Sequence, residues 1–125
     1  MLITIQMFLW EWEDKMAKSY KVLGQINPAA TTGTAIYTVP SATESVLSTI
    51  TVSNIGATAA TYRLYIRPND ETLANKHYIV YDSTVPANDS IMLTLGLTMD
   101  ASDKIYGYAS TASVAFGVFG SEITA

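Results

Sequence analysis

With 125 residues, 49% of them hydrophobic and only 14% charged, the chain has material for one domain with a core and lacks the composition of a disordered segment. Its net charge of −4, with Lys and Arg scattered singly, offers no basic patch for phosphate, so nucleic acid is not an expected partner. Without cysteine, neither a disulfide framework nor a thiolate metal site can form.

Residues 1–16 differ from the rest. Met1 to Trp10 reads M-L-I-T-I-Q-M-F-L-W and is followed by the charged stretch Glu11 to Lys15. The run is shorter than the ~20 apolar residues a bilayer span needs. It lacks the basic start and small-residue cleavage site of a signal peptide. Glu11, Glu13 and Asp14 stand where a membrane anchor carries basic residues, so no membrane partner is expected. Two readings fit. One is a short N-terminal arm that docks through Phe8, Leu9, Trp10 and Trp12; the other is an extension upstream of a true start at Met16.

From Ala17 the design is a short alternating run, a turn, and another run. Tyr20 to Gly24 reads as an edge strand, and Gln25 to Gly33 as a loop by its Pro, Asn and Gly content. Thr34 to Val39 is a strand stopped by Pro40. Glu44 to Asn54, E-S-V-L-S-T-I-T-V-S-N, is the clearest strand, with Val46, Ile50 and Val52 in phase as its buried face and Leu47 among the residues between. Thr61 to Arg67 sets Tyr62, Leu64 and Ile66 on one face, and Arg63, Tyr65 and Arg67 on the other. Glu71 to Asn75 suits a brief helical turn. Lys76 to Thr84 is apolar enough on both faces for a central strand. Ser90 to Leu97 has Ile91, Leu93 and Leu95 in phase. Lys104 to Ala109 and Ser113 to Phe119 complete the set, the last with Val114, Phe116 and Val118 facing one way; Gly120 to Ala125 reads as a tail.

About eight short strands with turn signals at close intervals, and no helix to make parallel crossovers, predict an all-β fold. The expected architecture is a single antiparallel β-sandwich over residues 17–125, jelly-roll-like or Ig-like, with the jelly roll slightly favoured.

No residue cluster carries recognisable catalytic or metal chemistry. His77 is the only histidine and reads as an ordinary strand residue, with no G-x-S-x-G elbow anywhere. Asp82, Asp89, Asp100 and Asp103 fall at or near strand ends, where turn capping explains them better than calcium or a glycosidase pair. The tyrosines say more. If the aliphatic residues define the inside, Tyr65, Tyr81, Tyr106 and Tyr108 face out. Such residues anchor subunit contacts, stack on sugars, or simply pair across strands. A surface of Thr, Ser, Ala and Tyr in place of the usual charges suits a protein packed against neighbours.

Several strings carry a family resemblance: K-V-L-G-Q at Lys21–Gln25, T-G-T-A-I-Y-T-V-P ending at Pro40, and S-T-I-T-V-S-N ending at Asn54. Later come H-Y-I-V-Y-D ending at Asp82, P-A-N-D-S ending at Ser90, and F-G-V-F-G-S-E ending at Glu122. Over Lys18 to Ile123 the chain resembles small accessory virion structural proteins of tailed phages, of the type found among phages of cyanobacteria and other marine bacteria. The resemblance implies a non-enzymatic protein on the outside of the particle: a capsid decoration (cement) protein, or a tail, neck or fibre-associated piece. It implies assembly in the host bacterial cytoplasm, which the lack of cysteine suits. The implied partners are other copies of itself, as a homo-oligomer for which a trimer is one form, and major capsid or tail proteins. No cofactor is implied. The rival of a different class is a carbohydrate-binding or adhesin module for host surface glycans.

Overall fold

The structure, a computed structural model, describes residues 17–124. The expected arm, with Phe8, Trp10 and Trp12, lies outside them. Eight strands follow in order: β1 (Ala17–Ile26), β2 (Thr34–Thr38), β3 (Thr43–Asn54), β4 (Ala60–Arg67), β5 (Tyr78–Val85), β6 (Asp89–Met99), β7 (Lys104–Ala109) and β8 (Val114–Thr124). Two 3-10 turns, Pro68–Asp70 and Asn75–His77, connect β4 to β5.

Pairing is antiparallel throughout, β1 with β8, β2 with β7, β3 with β6 and β4 with β5. That is the pattern of one long hairpin with β4 and β5 at its tip. Wrapped around itself, the hairpin drops alternate pairs into opposite layers, β1-β8-β3-β6 and β2-β7-β4-β5. Contacts of β3 with β8 and of β4 with β7 close each layer. The result is an eight-stranded jelly roll, not the ABED/CFG division of an Ig sandwich. Of the two expected topologies, the strand order selects the first.

Between the layers lie Leu47, Ile50 and Val52 of β3, Leu64 of β4, Ile105 of β7, and Val114, Phe116 and Val118 of β8, all buried. Each such side chain contributes roughly 1.5–3 kcal/mol by leaving water. The expected in-phase trio of β8 is borne out. So is Leu64 of β4, beside Tyr62, whose ring meets Phe116 at 6.3 Å.

Three details depart from expectation. In β3 the core residue is Leu47, fully buried, while Val46 turns outward and is half-buried. The cause is an extra residue: Leu47 pairs with Gly120 and Thr49 with Phe119, so Ser48 bulges and the two-residue phase restarts. Second, β5 lies at a sheet margin and not in the centre. The apolar groups on its outer side, Tyr78 and Tyr81, pack on neighbouring tyrosines and need no second layer. Third, the expected tail continues β8 to Thr124, held between β1 (Lys21 opposite Gly120, Ala17 opposite Thr124) and β3 (Leu47 opposite Gly120, Thr43 opposite Thr124). Pairing on both sides satisfies its backbone whatever its local polarity.

Buried Tyr37, Ser45 and Asn54 are hydrogen-bonded inside the sandwich. The Tyr37 hydroxyl donates to Glu122 Oε2 (2.6 Å) and shares a hydrogen bond with Ser45 Oγ (2.6 Å), while Lys21 Nζ meets Glu122 Oε1 at 2.6 Å. Burial, reinforced by the carboxylate, pushes the Tyr37 phenol up to about 12. Lys21, then Tyr37, hold the Glu122 carboxyl below its usual range. At the other end buried Asn54 donates to the carbonyls of Thr58 (2.8 Å) and Val85 (3.2 Å), and accepts from Gly56 N–H and Ser113 Oγ, both at 2.9 Å.

Candidate interaction surface

The two-residue period of a strand sends Tyr62, Leu64 and Ile66 of β4 inward and Arg63, Tyr65 and Arg67 outward. In β7 it sends Ile105 and Ala109 inward, and Lys104, Tyr106 and Tyr108 outward. Register then lines up the outward sets: Arg63 opposite Tyr108, Tyr65 opposite Tyr106, Arg67 opposite Lys104. On the other flank Tyr78 of β5 lies opposite Tyr65. The outer face of β2-β7-β4-β5 is therefore an aromatic and guanidinium layer built of direct cross-strand pairs.

At its centre Tyr65 and Tyr106 stack, rings 5.1 Å apart and 5° from parallel. Tyr78 meets Tyr65 edge-on at 5.3 Å, and Tyr81 meets Tyr78 at 4.9 Å and 88°. The guanidinium of Arg63 lies between two rings, 4.2 Å from the centroid of Tyr81 and 4.4 Å from that of Tyr108. Its edge is held by Asp82, with Nε to Oδ1 at 2.6 Å and Nη2 to Oδ2 at 3.2 Å. This geometry needs a bulge. Tyr62 pairs with Ser83 and Leu64 with Val80, so Tyr81 and Asp82 together oppose Arg63, and Asp82 takes a left-handed φ of 50°. The fork of hydrogen bonds raises the Arg63 pKa and lowers that of Asp82.

Arg67 covers Tyr106 from 5.0 Å and donates to its hydroxyl (3.1 Å), which donates in turn to Asp70 Oδ1 (3.3 Å). Asp70 also meets Arg67 and Lys104, both at 3.4 Å. Every cation of the layer thus has a carboxylate at hand, and most ring faces are occupied from within. Tyr65 is 6% exposed and Tyr81 is 59% exposed, so the layer is closed at its centre and open along the β5 side.

Of the sequence-derived candidates, Tyr65, Tyr81, Tyr106 and Tyr108 come together here. Sequence reasoning set Arg63 and Arg67 on the same strand face as Tyr65 but did not join them to the site, and it missed Tyr78 and Asp82. The signal for Tyr78 is its spacing of three from Tyr81, which only the bulge brings onto one face.

His77 closes the second 3-10 turn and does not sit within a strand. Its Nδ1 accepts the Ala74 N–H at 2.9 Å, and Nε2 stands 3.8 Å from Glu71. Asp103 caps the backbone N–H groups of Asn69 (2.8 Å) and Asp100 (2.9 Å), and Asp89 and Asp100 cap their own neighbours at 2.8 Å. These three are the expected turn caps; Asp82 is the exception, mid-strand and bound to Arg63. Among the described residues no group of three or more His, Cys, Asp or Glu is placed to hold a metal ion, and no helix is long and apolar enough to cross a membrane.

No family model and no curated protein matches the chain. Among solved structures it is similar to that of the infectious bursal disease virus Gt strain (TM-score 0.49, 10% identity), covering 88% of this chain and 33% of the viral one. It is also similar to the Anabaena sensory rhodopsin transducer (TM-score 0.42, 16% identity, 73% of this chain and 96% of that one). A third is a pentameric capsid protein isolated from metagenomic phage sequences (TM-score 0.30, 20% identity, 83% of this chain and 62% of that one). The chain spans about a third of the length of the first of these.

Proposed function

We propose that this chain is a non-enzymatic structural protein of a phage virion. It sits on the outer surface as a capsid decoration protein and works by contacts with other copies and with major capsid proteins. The observation that carries the reading is the tyrosine–arginine layer. Tyr and Arg dominate the energetics of protein interfaces. Rings already locked against each other lose little conformational freedom on docking. Internal neutralisation of Arg63 and Arg67 leaves this layer, among the described residues, without an unmatched guanidinium to draw phosphate, in keeping with a net charge of −4. The strand and turn strings that resemble accessory proteins of tailed phages supply the phage and virion setting.

The same layer weighs against sugar binding. Stacking on a glycan needs a free ring face, and at the centre of the layer Tyr106 is stacked on Tyr65 and approached by Arg67, while Tyr81 and Tyr108 already give one face each to Arg63. A tail, neck or fibre position would use the same contacts with fewer copies.

The test is to purify particles lacking the protein, add it back, and count bound copies by quantitative mass spectrometry. Many copies per head are expected, with Tyr81→Ala and Arg63→Ala each lowering occupancy while the fold persists. A few copies at the tail would move the protein there. Glycan-array binding without particle binding would overturn the reading.

A further inference from the structure

A two-layer sandwich has four strands at its sheet margins, here β1, β6, β2 and β5. A free margin offers unpaired N–H and C=O groups as a template for another strand, and proteins usually blunt it. Three of the four are blunted. β1 carries exposed Lys18 and Lys21 and a register break between Val22 and Gly24. β2 has only 5 residues and an irregularity between Ala35 and Tyr37. β5 is broken twice and turns through Asp82 at positive φ.

β6 is different. It runs for 11 residues, and Ser90 to Thr98 reads S-I-M-L-T-L-G-L-T, without charge or proline. Its one register shift falls between Thr94 and Leu97, leaving Asp89 to Thr94 in unbroken step with Asn54 to Thr49. Ile91, Leu93, Leu95 and Leu97 pack on the core yet are only partly buried, and Met92 on the outer side is 71% exposed. Among the described residues no strand lies beyond it.

We propose that this margin is where two copies of the chain join, Ser90–Thr94 of one running antiparallel to the same stretch of the other across a two-fold axis through Met92. The occupant is a second copy because the edge is complementary to itself. Antiparallel pairing about a two-fold matches donors to acceptors without a second kind of surface, and it closes instead of propagating. That axis sets Met92 against Met92 of the second copy, Ile91 against Leu93, Ser90 against Thr94 and Asp89 against Leu95. No charge meets a like charge, although each copy carries −4 overall. The contact joins two four-stranded layers into one continuous sheet and covers the partly buried aliphatic margin. It leaves the tyrosine–arginine layer, on the opposite sheet, available to other partners.

Sedimentation equilibrium and native mass spectrometry of the full chain, up to about 1 mM, provide the test. The wild type is expected to be a dimer. Met92→Lys and Met92→Glu should each weaken it roughly tenfold or more, with a melting curve that matches the wild type at concentrations low enough for both to be monomeric, and an equimolar mixture of the two should restore it. Thr94→Lys, the next outward position, should act like Met92→Lys, whereas Tyr20→Lys on the β1 margin should do nothing. A monomer across the whole range, a trimer, open-ended fibres, or a dimer indifferent to Met92 and Thr94 would overturn the proposal. None of these results bears on whether the protein decorates particles.

Discussion

The two layers obey the same alternation and use it differently. β1, β3, β6 and β8 have 10, 12, 11 and 11 residues, and their outer faces carry mostly small or hydroxyl side chains such as Ser48, Thr51, Ser53, Thr94 and Ser121. That layer is held by its long backbone ladders. β2, β4, β5 and β7 have only 5, 8, 8 and 6 residues, with bulges, and their outer face is knitted by side chains: five tyrosines, Arg63, Arg67 and the carboxylates that hold them. Short, interrupted ladders leave less main-chain bonding, and cross-strand pairs supply the cohesion. The second layer is consequently the one with chemistry to show a partner, and the first the one with an edge to extend.

The sharpest way to break this contrast is to strike the long ladder. A Cβ at Gly120 would lie 1.9 Å from the Val46 carbonyl oxygen and 3.0 Å from Leu47 Cα, both backbone atoms that cannot swing aside. Gly120→Ala is expected to cost about 3 kcal/mol or more in urea unfolding. At Gly96 in β6 a Cβ meets nothing within 4 Å, and the same change there should stay within about 0.5 kcal/mol.

Next comes the polar network joining the two layers. Because the folded Glu122 pKa is depressed, its contribution is present above the unfolded carboxyl value, near 4.3, and is lost as pH falls through the folded value. Glu122→Gln should therefore be less stable than wild type at neutral pH. The gap should close on acidification below about pH 4, read as converging denaturation midpoints. A gap that stays constant with pH would mean that Glu122 acts by packing alone.

A modest effect belongs to the tyrosine–arginine layer itself. Arg63→Lys keeps the charge but loses the planar fork to Asp82 and the stacking between Tyr81 and Tyr108. About 1 kcal/mol of stability should go, with near-ultraviolet circular dichroism showing loosened tyrosines while the far-ultraviolet spectrum holds. A loss several times larger would make the layer part of the core instead of a surface.

Strand existence was legible residue by residue. Lys104–Ala109 was readable to the residue, and Thr34–Val39, Glu44–Asn54 and Thr61–Arg67 to within one. What misled was register. Leu47 and Val46 exchange places because Ser48 is an extra residue relative to β8, and nothing in S-V-L-S-T marks a bulge. Tyr78 and Tyr81 reach one cluster only because β5 gains residues relative to β4. Bulges arise where three strands of unequal local twist must stay in step, a property of the neighbours and not of the segment.

What the sequence determined by itself is the alternation: about eight short runs, most with one apolar face, with Leu64, Phe116 and Val118 in the core and Tyr65, Tyr106 and Tyr108 on the reverse side. Tertiary structure alone decided that the runs wrap as a jelly roll, that residues 120–124 form a strand, that Arg63 is clasped by Tyr81, Tyr108 and Asp82, and that β6 is left at a margin. The physical reason is that alternation is written in a strand's own side chains, whereas pairing order and bulges depend on hydrogen bonds to segments tens of residues away.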